Sequence, residues 1–123
     1  NMKEKDPKKC SVCVLRGGPS NEYDLSLDSG AHILMNLEDT HHTHDILIDR
    51  EGKWFRNGKN VRPEQAFWDV DIAFNALHGA YGEDGTIQKI LEAHSVPYTG
   101  SGPFASILSL NKHTPRNSAK NME

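Results

Sequence analysis

Hydrophobic positions along the chain follow two spacings, one typical of strands and the other of helices. Residues 11–15 and 70–76 are apolar runs that predict buried strands, and residues 45–49 predict a further short strand. Before that third strand, small and apolar residues recur three and four positions apart, which predicts one helix face. These residues are Leu27, Gly30, Ala31, Leu34 and Leu37. The small residues Gly30 and Ala31 would let the helix lie close to a sheet.

A hairpin is predicted between the short strand at residues 45–49 and the apolar run at residues 70–76. Asn57-Gly58 separates residues 53–56 from residues 59–61, and both central residues of a type I′ turn need positive φ. Because the other strands are separated by helical segments, βαβ units and a parallel sheet are expected. The predicted fold class is therefore α/β, a Rossmann-like parallel sheet flanked by helices with a small β-hairpin insertion.

A further helix is predicted after the last apolar strand. Its apolar face carries Ile87, Ile90 and Leu91. Glu83 or Asp84 precedes it and can cap its first turn, since a side-chain oxygen there accepts a free backbone N–H. We therefore interpret these two acidic residues as capping residues and not as a paired-carboxylate catalyst.

Charge is distributed unevenly along the 123 residues, which carry a formal net charge of −3. Residues 1–9 and 112–123 each carry +2, which leaves −7 for residues 10–111. An acidic body argues against a nucleic-acid partner, because such proteins need a basic surface to contact phosphates. No apolar run approaches the ~18 residues of a membrane span, and the N-terminus lacks a signal-peptide core. We therefore expect no membrane partner and a cytoplasmic location.

Two cysteines, Cys10 and Cys13, form a C-x-x-C spacing. Residues three apart on a strand point to opposite faces, so the two sulfurs should diverge and remain reduced thiols. A small zinc protein that adds His41, His42 and His44 is an alternative. However, the H-H-x-H spacing is not that of a zinc site, and we expect a solvated histidine-rich turn there.

Three glycine-rich loops, residues 17–25, 77–85 and 99–102, follow predicted strand ends and open helices. In an open parallel sheet, ligands bind beyond the carboxyl ends of the strands. Glu22 in the first loop could hold an ammonium group, or it could be an exposed carboxylate favoured by the helix dipole. His78 in the second loop could donate to an anionic substrate, or it could be a polar residue bonded to the backbone.

Three segments carry a family resemblance. They are GGPSNEYDLSLDSG at 17–30, ALHGAYGEDGTIQ at 76–88, and PYTGSG at 97–102 with Ala105-Ser106 and Lys112. In this order they resemble the N-terminal, pre-ATP-grasp domain of D-alanine–D-alanine ligases. The charge distribution predicts a basic tail at residues 1–10, and the resemblance implies a substrate-binding domain at residues 11–111. Residues 112–123 would begin the ATP-grasp region that follows.

The resemblance implies ATP-dependent formation of the D-alanyl-D-alanine dipeptide for peptidoglycan synthesis, through an acyl phosphate. Glu22 and His78 match catalytic positions that bind the first D-alanine, at its ammonium and beside its carboxylate. Leu25 matches a residue near the methyl group of that substrate, and Lys112 matches a lysine that reaches the ATP phosphates. ATP and Mg²⁺ would be bound mainly by domains outside this chain, which is expected to hold no metal ligand.

Some features depart from the family pattern or leave alternatives open. Pro19, Asn111 and Pro115 replace residues that are more usual in the family. We expect the 123-residue chain to be a fragment that is inactive alone. A non-catalytic binding module, or a truncated paralogue with the same fold, is the alternative. The second substrate could be D-alanine, D-lactate or D-serine, and a homodimer is possible by resemblance.

Overall fold

A computed structural model describes residues 9–99 of the chain, apart from the side chain of Ala80. Residues 1–8 of the predicted basic tail, Lys112 and the predicted start of the next domain lie outside the described residues. Residues 9–99 form five strands: β1 (Ser11–Gly17), β2 (His42–Ile48), β3 (Trp54–Arg56), β4 (Lys59–Val61) and β5 (Ile72–Asn75). The helices are α1 (Tyr23–Leu37), α2 (Pro63–Ala66), α3 (Gly79–Glu83) and α4 (Thr86–Ala93).

The strands form one mixed sheet in the order β4-β3-β2-β1-β5. β1 pairs in parallel with β2 on one side, where Ser11 is opposite His42, and with β5 on the other, where Val12 is opposite Ile72. β3 and β4 add an antiparallel edge. The predicted α/β class, with a parallel centre and a hairpin, is confirmed. The chain leaves β1 through α1 toward β2 on one side, and it leaves β5 through α3 and α4 toward the parallel bridge at Tyr98 on the other side. The carboxyl ends of β1 and β5 therefore flank a topological switch point.

β1 is buried on both faces, as its apolar run predicts. Alternate residues of a strand point to opposite faces of the sheet, and the core is accordingly divided into two clusters. One cluster joins β1 to α1 and β5 and contains Cys10, Val12, Val14, Ile33, Leu37, Phe74 and Ala76. The other joins β1 to β2 and α4, among other elements, and includes Cys13, Leu15, Ile46, Ile48, Ile87 and Leu91. The helices therefore cover both faces of the parallel strands.

The two thiols lie in these opposite clusters, which confirms that they diverge. Cys10 and Cys13 are both buried thiols that form no disulfide, and burial raises the pKa of Cys13 to about 12. Within residues 9–99 there is no group of three or more His, Cys, Asp and Glu side chains that could hold a metal ion. In the same part of the chain, no helix is long and apolar enough to cross a bilayer.

Both thiols should resist alkylation in the native chain, because the reactive form is the thiolate and burial disfavours it. We expect iodoacetamide to leave Cys10 and Cys13 unmodified under conditions in which the unfolded chain reacts completely. Mass spectrometry of the intact chain would measure this. Rapid modification of either residue in the folded chain would contradict the buried placement of the thiols.

The expected solvated turn around the histidines is wrong. β2 begins at His42, three residues earlier than predicted, so His42 and His44 are strand residues. Pairing with β1 overrides the local polarity, since the backbone N–H of His42 donates to Cys10 O at 2.8 Å. The same pairing places Asp45 beside Arg16, whose guanidinium donates two 2.8 Å hydrogen bonds to that carboxylate.

The hairpin turn agrees with its prediction. Asn57 and Gly58 have φ values of 51° and 88°, the positive values that a type I′ turn requires. The side chain of Asn57 also accepts a hydrogen bond from the backbone N–H of Asp45 at 2.8 Å. Trp54 of β3 packs edge-on against Phe67, with ring centroids 5.7 Å apart, so the hairpin is joined to the segment that follows α2.

α1 approaches β1 closely at Gly30, as the small residue predicted. A Cβ atom at this position would lie 2.6 Å from the Cβ of Arg16. The guanidinium of Arg16 also donates to Leu27 O at 2.9 Å, which joins the strand to the helix. The hydrogen bonds that Arg16 donates to Asp45 raise the pKa of Arg16 above its usual value.

The substitution Gly30→Ala should therefore destabilise the chain. In an exposed helix this change adds about 1 kcal/mol of stability through helix propensity. Here the added methyl group meets Arg16, and overpacking typically costs about 1–3 kcal/mol. Urea unfolding of the two chains would measure the difference. A more stable Gly30→Ala chain would contradict the close approach of helix and strand.

Candidate functional site

The candidate site lies where the chain leaves β1 and β5. Gly17 and Gly18 follow the buried part of β1 with φ values of 95° and 92°, in the region that favours glycine. A Cβ atom on Gly17 would lie 2.3 Å from Ile48 O, so a side chain is excluded there. This tight exit turns the chain back over the sheet and into α1, whose first turn faces the end of β5.

Glu22 is the N-cap residue of α1, but its side chain does not cap the helix. The carboxylate is half-exposed, and its Oε1 atom lies 3.2 Å from Nδ1 of His78. Its place at a helix N-terminus agrees with the helix-dipole interpretation. The helix-dipole interpretation does not explain the contact between Glu22 and the imidazole of His78, which follows the end of another strand.

His78 comes three residues after the end of β5, and its side chain is 15% exposed. One ring nitrogen faces Glu22, and the alternative in which the ring is bonded to the backbone is not observed among the described residues. The other nitrogen, Nε2, is buried with no hydrogen-bond partner in the described part of the chain. Buried polar atoms are nearly always paired, so this nitrogen without a partner marks His78 as a candidate ligand contact.

The loop that carries His78 is fixed by two side-chain amide groups that the sequence did not single out, a buried one on Asn75 and a half-buried one on Gln88. Asn75 accepts a hydrogen bond from the backbone N–H of Leu77 at 3.1 Å and donates to Gly82 O at 3.3 Å. Gln88 donates to the same carbonyl at 3.0 Å. A polar residue at the end of an otherwise apolar strand was the available signal for Asn75. The loop also contains the short helix α3, which was not predicted.

Removal of the Asn75 amide should destabilise the chain. Asn75→Ala leaves the buried Leu77 N–H without this acceptor, which costs about 1–3 kcal/mol. Asn36→Ala is a matched control, because Asn36 is exposed and donates only within its own helix, to His32 O. Its effect should stay within about 0.5 kcal/mol. Equal stabilities of the two variants in urea unfolding would contradict the anchoring role of Asn75.

The acidic pair at the end of this loop includes the predicted helix cap. Asp84 Oδ1 accepts the backbone N–H of Thr86 at 2.9 Å, and this hydrogen bond lowers the pKa of Asp84. Gly85 between them has φ of 98°. Asp84 therefore accepts a free N–H of the first turn, as predicted, although the N-cap position itself is occupied by Gly85.

Leu25 and Arg50 lie on the α1 side of the site. Leu25 is one turn after Glu22, on a neighbouring part of the same helix face, and it is 54% exposed, unusually so for a large hydrophobic residue. Arg50 was not predicted; its guanidinium lies 4.3 Å from the centre of the Tyr23 ring and 3.4 Å from Asp24. The predicted phosphate ligand Lys112 lies outside the described residues.

Two open surface depressions of about 480 and 460 Å³ lie elsewhere, along the β3–β4 hairpin. Neither is lined by Glu22 or His78. A small ligand needs only a small cleft. Neither depression brings a carboxylate and an imidazole together. The chemistry of the side chains, and not the size of the depression, therefore identifies the candidate site.

Known proteins are similar to this chain in fold and in sequence. A family model described as D-ala D-ala ligase N-terminus matches residues 57–101. The D-alanine--D-alanine ligase of Solibacter usitatus is 38% identical over 106 residues, which are 85% of this chain and 32% of that protein. The chain therefore spans about a third of the length of this relative.

Solved structures agree. D-alanyl-alanine synthetase A from Vibrio cholerae has a TM-score of 0.64 and 32% identity, over 85% of this chain and 35% of that one. The D-alanine-D-alanine ligase from Coxiella burnetii has a TM-score of 0.69 and 25% identity, over 80% and 37%. The fold and the position of the site define an α/β domain with a candidate ligand site at its switch point. The chain carries the N-terminal domain of the D-alanine–D-alanine ligase family.

Proposed function

We propose that this chain is the substrate-binding N-terminal part of a D-alanine–D-alanine ligase, and that Glu22 and His78 hold the first D-alanine. The observation that carries the proposal is the 3.2 Å contact between Glu22 Oε1 and His78 Nδ1, beside a buried His78 Nε2 with no partner among the described residues. A carboxylate and an imidazole at this distance offer one acceptor group and one donor group to a small zwitterion.

Each group of D-alanine has a matching side chain. The carboxylate of Glu22 only accepts hydrogen bonds when ionised and therefore suits an ammonium group. The Nε2 atom of His78, when it carries a proton, donates to a carboxylate. Leu25 offers apolar surface for the methyl group. Three different contacts around one carbon atom distinguish a D-amino acid from its L-isomer, because the mirror image places one group wrongly.

His78 also has a role in the proposed reaction. Next to the reacting carboxylate, a donor stabilises negative charge that develops on oxygen during attack by the second amino group. In the whole enzyme ATP would supply the phosphoryl group that activates this carboxylate, with Mg²⁺ beside it. We expect other parts of the protein to hold both, including Lys112 for the phosphates. The proposed setting is peptidoglycan synthesis in the cytoplasm, with D-alanine and ATP as partners and a possible homodimer.

Binding of D-alanine to the isotope-labelled chain tests this proposal. We expect weak saturable binding, with a dissociation constant on the order of millimolar because only part of the site is present. The NMR signals that move should belong to Glu22, Leu25 and the loop of His78. L-alanine should produce smaller changes at the same concentration.

Two carboxylate variants make this experiment specific. Glu22→Gln removes the charge that faces the ammonium group and should weaken D-alanine binding at least about tenfold, since hydrogen bonds to charged groups contribute about 1.5–3 kcal/mol. Glu38→Gln makes the same charge change at the exposed far end of α1 and should have no effect. Equal binding of D- and L-alanine, or equal effects of the two variants, would contradict the proposal.

A further inference from the structure

Ser26 is a polar residue of α1 whose side chain is fully buried. Its hydroxyl accepts a hydrogen bond from the backbone N–H of Gly17 at 2.9 Å and donates one to Ala76 O at 2.8 Å. Gly17 is the last residue of β1, and Ala76 directly follows β5. One hydroxyl group therefore joins the ends of the two strands that lead into the candidate site.

The same residue is connected to both members of the Glu22–His78 pair. The backbone N–H of Ser26 donates to Glu22 O at 2.9 Å, so one rigid turn of helix separates the two residues. Ala76 lies only two residues before His78, within a segment that is itself hydrogen-bonded to β1 through Leu15 O at 2.9 Å. A displacement of the Ser26 hydroxyl relative to either strand end would change the separation of Glu22 and His78.

No apolar residue could take the place of Ser26. A backbone N–H and a backbone C=O face it inside the protein, and a buried backbone group without a partner carries a desolvation cost. Serine has one donor and two acceptor positions on a short side chain, which satisfies both groups without widening the gap between helix and sheet. Ser26 therefore aligns three chain segments, and its role is not to fill the core.

We propose that Ser26 is a positioning residue, which sets the distance between the Glu22 carboxylate and the His78 imidazole by tying α1 to the carboxyl ends of β1 and β5. The importance of this alignment for D-alanine rests on the proposed function. The alignment itself concerns only residues of this chain. It can therefore be tested without a substrate.

The test uses the NMR signals of the His78 ring nitrogens in the full 123-residue chain. These signals respond to the carboxylate next to Nδ1, and Glu22→Gln provides the reference in which that carboxylate is removed. We expect Ser26→Ala to move the signals most of the way to this reference. Ser29→Ala is the matched control: Ser29 is on the same helix and has no side-chain hydrogen bond among the described residues. It should leave the signals in place.

Hydrogen exchange gives a second measurement. Loss of the hydroxyl should speed exchange of the Gly17 amide roughly tenfold relative to Val14 in the same strand, the effect of about one hydrogen bond. A general loss of stability would speed the two amides together. If Ser26→Ala does not fold, Ser26→Cys keeps a similar shape with a weak donor and should give an intermediate displacement of the His78 signals.

A folded Ser26→Ala or Ser26→Cys chain with His78 signals identical to those of the unmodified chain would overturn the proposal. So would an unchanged ratio of Gly17 to Val14 exchange. D-alanine titration of the same variants separates the two proposals. If the unmodified chain does not bind D-alanine but Ser26→Ala displaces the His78 signals, the proposed function fails while the positioning role stands. The converse result removes only the role of Ser26.

Discussion

The parallel pairing of β1 with strands on both of its sides is the interaction on which the rest of the structure depends. It buries the backbone of β1 completely and requires apolar side chains on both of its faces, such as Val14 on one face and Leu15 on the other. The connection that leaves β1 runs to β2 on one side, and the connection that leaves β5 runs to the bridge at Tyr98 on the other side. The resulting crevice at the carboxyl end of the sheet is the place where α/β proteins of this topology bind ligands.

A crevice of this kind creates a difficulty, because backbone groups at strand ends are buried without further strand partners. The chain resolves it with short polar side chains that face the backbone. Ser26 bonds to both strand ends, and Asn75 bonds to Leu77 and Gly82. Glycine solves the steric part of the same problem at Gly17, where no side chain would fit. The polar residues outside the Glu22–His78 pair are therefore part of what holds that pair in place.

The sequence was informative wherever local chemistry decides the structure. The Asn57-Gly58 turn, the buried run of β1, the small residue at Gly30 and the Asp84 cap each follow from the properties of one or two residues. It was less informative where long-range pairing decides. The early start of β2 at His42 depends on its pairing with β1. The anchoring role of Asn75 depends on its contacts with Leu77 and Gly82 in the loop that follows β5. Glu22 and His78 could be selected from their places after strand ends, but their 3.2 Å contact needed three-dimensional information.

We propose that the switch point of this domain presents Glu22 and His78 to D-alanine. The most direct measurement is phosphate release by a chimera in which this chain replaces the corresponding N-terminal part of the Vibrio cholerae protein. We expect turnover that depends on D-alanine and ATP, that is lost with Glu22→Gln and that is retained with Glu38→Gln. A folded chimera whose D-alanine-dependent turnover is unaffected by Glu22→Gln would show that Glu22 does not hold the substrate.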